Sequence, residues 1–202
     1  MTLHTICLAL VLAVLVWSGI GPVDRFTWWL EVAPVLIVLP ILLATHRAFP
    51  LSSLAVILLT LHAAILCVGG HWTYAEVPFG FCMAEWFGWS RNHYDRIGHF
   101  AQGFVPAILA REVLIRRSPL AGSRWLPVVV VSICLSVSAL YELIEWAAAV
   151  LTAGGATAFL GTQGDPWDTQ WDMLLALVGA STALCLLAGV HDRALARTVG
   201  ST

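Results

Sequence analysis

The sequence predicts an all-α membrane protein of about six transmembrane helices in one compact bundle, with both termini on the cytoplasmic side. Three observations carry this. The 202 residues are 59% hydrophobic and only 11% charged, with a mean hydropathy of +0.86, whereas a soluble domain carries about a quarter charged residues. Six stretches reach the length of about 20 mostly apolar residues that a bilayer crossing needs. The arginines are unevenly divided between the two ends of those stretches.

The runs are, in order, residues 3–20, 28–44, 51–68, 94–115, 125–150 and 168–190. The first is read as a helix rather than a signal peptide. It has only His4 where a basic region belongs, and Ser18, Gly19, Ile20, Gly21 and Pro22 do not form an A-x-A-like cleavage site. Short connections join the runs, which argues for a single domain over 1–202. There is no lysine, so orientation rests on arginine. Arg47, Arg111, Arg116, Arg117, Arg124, Arg193 and Arg197 fall on one face, and Arg25, Arg91 and Arg96 on the other. The richer face is the cytoplasmic one. Trp17, Trp28, Trp29, Trp72, Trp86, Trp89, Trp167 and Trp171 sit near the outer ends, as an interfacial aromatic belt does. A net charge of −2 with no basic block excludes nucleic acid as a partner class.

Depth places the acids. The fifth run enters near Arg124, and Glu142 lies 18 residues on, about 27 Å at 1.5 Å per residue. Glu142 and Glu145 therefore lie near the outer boundary of a hydrocarbon layer about 30 Å thick. Asp168 and Asp172 occupy the first turns of the sixth run, Asp95 and His99 those of the fourth, and Glu31 is one turn into the second. Separate stretches thus deliver acids to one level, the extracytoplasmic mouth of the bundle. Ionisable groups inside a membrane are costly and by default mark a functional site.

The spacings sharpen the reading. Asp95/His99 and Asp168/Asp172 are i, i+4, and Glu142/Glu145 are i, i+3, so each pair shares a helix face. Paired ligands on facing helices are how bundles build metal sites. Seven acids (Glu31, Asp95, Glu142, Glu145, Asp165, Asp168, Asp172) face Arg25, Arg91 and Arg96, with His71, His93 and His99 able to add charge. Such an excess must bind a cation, hold protons or stay hydrated. A divalent metal answers it, and carboxylate plus imidazole ligands suit Zn, Mn or Fe.

Plainer readings stand beside this one. Asp95 and Asp168 suit helix N-caps. Arg96 is placed to pair with Glu142 or Asp168. Glu31 reads as an interfacial or hydrogen-bonded residue, His62 as a helix–helix contact, and His71 and His93 as solvated. Arg111 and Glu112 read as snorkelling to the interface. The segment 69–92 reads as an aromatic outer loop, either a lid or a headgroup contact. The Gly-rich loop 152–167 allows close backbone approach. Cys7, Cys67, Cys134 and Cys185 read as small hydrophobes and Cys82 stands alone in the outer loop, with no C-x-x-C and so no thiolate site or disulfide framework. There is no G-x-S-x-G, H-E-x-x-H or Lys-bearing phosphate loop.

Three motifs resemble the YjdF-like inner-membrane proteins, a domain family of unknown function: Tyr94 to Phe100 (YDRIGHF), Tyr141 to Trp146 (YELIEW), and Gly161 through Asp165, Pro166, Trp167, Asp168 and Asp172 to Met173. The pattern is also distantly similar to VanZ-like proteins, linked to glycopeptide-antibiotic tolerance. By that pattern Asp95, His99, Glu142 and Asp172 match, with Gly179 as the final glycine, while Arg96 replaces a lysine and Ala176 an asparagine. The resemblance implies a bacterial inner-membrane location and no defined chemistry.

Two function classes follow. One is a metal-dependent enzyme acting on a lipid headgroup or lipid-linked envelope precursor at the outer leaflet. Asp95, His99, Glu142 and Asp172 are then ligands, and Glu145 or Asp168 the base. The other is a non-enzymatic cation or small-solute transporter, or an envelope accessory protein. The cytoplasmic halves of the runs are nearly free of polar groups, which weighs against a through-path.

Overall fold

The computed structural model describes residues 2–152, 157–160 and 162–200, so Gly161 and part of the Gly-rich loop lie outside the described residues. The described residues form helices and no strand: α1 (Leu3–Ser18), α2 (Arg25–Thr45), α3 (Ser53–His71), α4 (Pro78–Phe87), α5 (Tyr94–Arg117), α6 (Leu126–Leu151), α7 (Thr157–Leu160) and α8 (Asp168–Val199). Local chemistry sets several starts. The hydroxyl of Thr2 accepts from the Thr5 amide, Asp24 from Thr27 and Ser52 from Ala55, each satisfying an amide that has no partner within the helix.

Four helices are long and apolar enough to cross a membrane, at Arg25–Thr45, Ser53–His71, Leu126–Leu151 and Asp168–Thr198. The first run forms a helix of only 16 residues. The fourth forms the 24-residue α5 but carries Asp95, Arg96, His99, Arg111, Glu112, Arg116 and Arg117. Burial is inverted relative to a soluble protein. Ile37, Ile41, Ile57, Leu61, Leu140, Leu143 and Leu186 are exposed, while Glu31, Asp95, His99, Glu112 and His191 are buried. An apolar exterior around a polar interior suits a lipid solvent.

The most extensive packing joins α5 to α8, and α3 packs on α1, α2 and α5. Small residues make the α5–α8 approach possible. A Cβ on Gly103 would strike the Ala176 backbone, and one on Gly179 the backbone of Phe100 and Phe104. Ala107, Ala180 and Ala183 continue the seam with no exposed surface.

The structure corrects several expectations. The segment read as an outer loop contains a helix, α4, started by Pro78 and ended by Gly88 in the left-handed region at φ 68°; both signals stand in the sequence. Neither Asp95 nor Asp168 is an N-cap, since His93 and Trp167 hold those positions. His71 is buried, not solvated. One of its ring nitrogens lies 2.9 Å from the Ser18 carbonyl, and its ring stacks on Trp17 at 4.7 Å. Arg111 and Glu112 do not snorkel: both are buried, Glu112 completely. Glu112 accepts from the Ser52 amide at 2.9 Å and hydroxyl at 2.6 Å and from Arg116 at 3.0 Å. His191 Nε2 is 3.0 Å from it, and Arg111 bridges His191 to Asp192. This clasp ties α3, α5 and α8 together at the end opposite the acids. Every charge in it has a partner, as a buried network requires.

Candidate functional site

The site is built from the first turns of α5 and α8 and the last turns of α6. His99 is its centre. Its Nε2 lies 3.4 Å from Asp95 Oδ1 and 4.0 Å from Asp172 Oδ2, and its Nδ1 lies 3.8 Å from Glu142 Oε1. Asp95, His99 and Asp172 each offer one ligand atom within 4.8 Å of the others, and so do His99, Glu142 and Glu145. All five side chains are buried, Asp172 to 2% exposure. One helix turn separates Asp95 from His99, which is why a single face of α5 presents both.

Gln102, which sequence reasoning passed over, fixes the imidazole. Its Oε1 lies 3.0 Å from His99 Nδ1, so a proton held on Nδ1 leaves the Nε2 lone pair facing Asp95 and Asp172. Metal-binding histidines are oriented in this way. The signal was the i, i+3 spacing from His99. Tetrahedral ligands at about 2.0–2.1 Å from an ion lie about 3.3–3.4 Å apart. The Asp95–His99 separation already has that value, the His99–Asp172 separation is 0.6 Å longer, and the three ligand atoms all lie within 4.8 Å of one another.

The arginines do not neutralise this cluster in the way expected. Arg96 pairs with Asp165 at 2.8 Å and stacks over Trp171, not with Glu142 or Asp168. Arg91 takes Asp168 at 2.9 Å and Asp165 at 3.4 Å. The ion pairs found for Asp95, Glu142 and Asp172 all go to His99. Glu142 Oε1 and Asp172 Oδ1 are buried acceptors with no hydrogen-bond partner among the described residues. Asp168 thus belongs to an arginine-paired rim, and the carboxylate excess concentrates on His99. Burial holds the His93 imidazole at the rim below its ordinary value, helped by Arg96 and Arg91. Glu31 accepts from the Tyr141 hydroxyl at 3.0 Å, joining α2 to α6.

The Gly-rich loop is tied to the site's edge. The Asn92 amide donates to Gln163 Oε1 at 3.1 Å and the Gln163 side chain donates back to the Asn92 carbonyl at 2.8 Å. Asn92 also accepts from the Tyr94 amide at 3.0 Å, anchoring the start of α5. Tyr74 packs against Gly69 and Gly98 where side chains would collide.

Below the site lies a cavity of about 720 Å³ walled by α1, α2, α3, α5 and α6. Glu31, Tyr74, Asp95, His99, Gln102, Tyr141 and Glu145 form its upper end. Its walls below are chiefly Leu, Val and Pro side chains, broken by Thr60 and His62 midway and by His4, Thr5 and His46 at the far end. His62 Nε2 has no hydrogen-bond partner among the described residues, so this ring is not the satisfied contact expected.

A family described as predicted membrane proteins (DUF2238) matches residues 3–193. The chain is 52% identical over 195 residues to the inner membrane protein YjdF of Escherichia coli (strain K12), covering 96% of this chain and 93% of that protein. No solved structure matches. The chain is a polytopic inner-membrane protein and belongs to the DUF2238 membrane-protein family.

Proposed function

We propose that this protein is a metal-dependent enzyme acting on a lipid headgroup or lipid-linked envelope precursor at the extracytoplasmic face of the inner membrane. The carrying observation is the buried imidazole of His99 set among Asp95, Glu142, Glu145 and Asp172, with the ion pairs found for Asp95, Glu142 and Asp172 going to His99, at the mouth of an apolar cavity. Asp95, His99 and Asp172 would hold the ion on the Nε2 side of the imidazole, with Glu142 beside Nδ1; Zn, Mn and Fe fit this donor set. Such an ion supplies activation of water and polarisation of a phosphoryl or carbonyl oxygen. Glu145, on the cavity wall, takes the proton of the attacking water and returns it to the leaving oxygen. Asp168, held by Arg91, positions the rim. A transporter needs polar groups along its full path, and only Thr60 and His62 interrupt the middle of the cavity wall, which favours the enzyme.

In this reading α1 and α5 also cross, giving six spans with both termini inside, as the seven-to-three division of arginines favours. An impermeant maleimide then labels Cys82, which is exposed, on intact cells whose other cysteines are replaced by alanine. Ser118→Cys labels only after lysis; the reverse pattern inverts the topology.

The metal reading is tested by elemental analysis of the purified protein. Wild type should carry a stoichiometric divalent ion, and Asp95→Ala and His99→Ala should lose it while still unfolding cooperatively. A metal-free wild type in which Arg91→Ala is the least stable variant would end the metal hypothesis.

A further inference from the structure

We infer that the cavity beneath His99 is the binding site for the hydrocarbon chain of one membrane lipid, which enters sideways between α2 and α6 and leaves its headgroup at the acidic site. The inference deepens the function proposed above by fixing where the substrate's apolar part lies. Its support is the cavity itself and not the metal.

The contact pattern provides the opening. α2 packs on α3 and α7, with no comparable packing on α5 or α6. The Tyr141–Glu31 hydrogen bond spans α6 and α2 at the top of the gap. Below that strap Pro34 and Val38 of α2 and Val137 of α6 line the cavity from the two sides of the gap. Pro34 and Pro40 lie inside α2, and each removes a backbone hydrogen bond there, so the gate helix is the one least held by its own ladder.

The dimensions fit a chain. Along α2 the lining runs from Glu31 to His46, 15 residues, or about 22 Å of helix. That is deeper than one leaflet of a hydrocarbon core about 30 Å thick. If a methylene takes roughly the 30 Å³ of a liquid water, 720 Å³ accommodates on the order of 24 of them. The lining chemistry excludes the other occupants. Water needs two to four polar partners, which the Leu and Val walls do not give. A hydrated ion faces the same lack. An amphiphile matches both ends, because polar groups crowd one end of the cavity and apolar side chains fill the rest.

The test uses full-length protein in nanodiscs of phosphatidylethanolamine and phosphatidylglycerol, doped with a phosphatidylglycerol that carries a diazirine near the end of one acyl chain. After irradiation, crosslinks should map to Leu59, Leu66 and Pro106 inside the cavity as well as to the outward Leu140 and Leu186. Val38→Trp and Leu109→Trp, which fill the cavity from facing walls, should each cut the interior crosslinks at least ten-fold. They should leave the outward ones and the metal content unchanged; two variants from opposite walls, each checked for a cooperative thermal transition, guard against misfolding. Crosslinks confined to outward residues in a metal-loaded wild type would overturn this inference alone. Interior crosslinks that persist in both tryptophan variants would also overturn it. Interior crosslinks in a metal-free wild type would support the chain site while removing the metal-centre reading.

Discussion

In the metal-centre reading proposed above, Gly103→Ala should weaken metal binding without touching a proposed ligand. Gly103 and Ala176 lie one turn below His99 and Asp172 on their respective helices, so the α5–α8 contact at that level sets the separation of the two ligand-bearing turns above it. A Cβ on Gly103 would fall inside the contact distance of the Ala176 carbonyl oxygen and also lie 2.6 Å from its carbonyl carbon and 2.7 Å from its Cα, where ordinary contact begins at 3.4 Å. The obstruction is backbone, which cannot rotate away. The oxygen is the nearest of the three, so the helices must part by more than about 1 Å, taking the His99–Asp172 separation from 4.0 Å to beyond about 5 Å, against about 3.3 Å for two ligands of one tetrahedral ion. Overpacking of this kind typically costs about 1–3 kcal/mol of stability. Metal affinity should fall at least about ten-fold, the lower end for disturbed ligand support. The assay is competition with a metal chelator, beside thermal unfolding in the same detergent. Gly189→Ala is the control: it lies on α8 with only Arg193 Nη1 at 3.9 Å and should gain up to about 1 kcal/mol from helix propensity with metal binding intact. A Gly103→Ala protein of wild-type affinity and stability would refute the claim that this seam sets the site.

Two further outcomes are expected. Glu112→Ala leaves His191, Arg116 and the Ser52 amide without their shared acceptor and should cost about 3–5 kcal/mol, read as a large fall in the unfolding temperature. Metal content at the far end should persist in the molecules that remain folded. Asp24 is held below its ordinary value of 3.8 chiefly by the hydrogen bond from the Thr27 amide. Its depressed folded value means that its contribution is present above pH 3.8 and is lost as pH falls through the lower folded value. Asp24→Ala should therefore cost about 1 kcal/mol at neutral pH, and its stability should converge on wild type in strong acid. A constant difference across that range would exclude the linkage.

The sequence made the acid level of the bundle legible because helix rise converts residue number into depth. That conversion put Asp95, His99, Glu142 and Asp172 at one level with Glu31, Glu145 and Asp168, and helix-face spacing and the family pattern picked out the four. It made the partners of those acids much less legible. Arg96 and Arg91 lie five residues apart, and only the fold decides that Asp165 pairs with both while Asp168 pairs with Arg91. The clasp of Glu112 and His191 was missed for a related reason. Its members are 79 residues apart, and each by itself resembles an ordinary polar residue near a helix end. The helix in the outer loop was readable from Pro78 and Gly88, but its aromatic composition drew the reading toward a surface loop. The cavity had no sequence signal, since an apolar wall facing a void and one facing lipid use the same residues.

The clasp has a consequence for which changes these helices tolerate. α5 and α8 meet in polar contact twice, once at His99 and Asp172 and once at Glu112 and His191. Thirteen residues separate the two positions on α5 and nineteen on α8. Each residue turns a helix by about 100°. Inserting or deleting a single residue between the two contacts must therefore swing one of them out of register, leaving buried charges facing a neighbour's hydrocarbon. The intervening turns are free to exchange one apolar side chain for another of similar volume, but their length is not free to drift. In this pair of helices, natural variation should consist of substitutions, with length changes displaced into the loops.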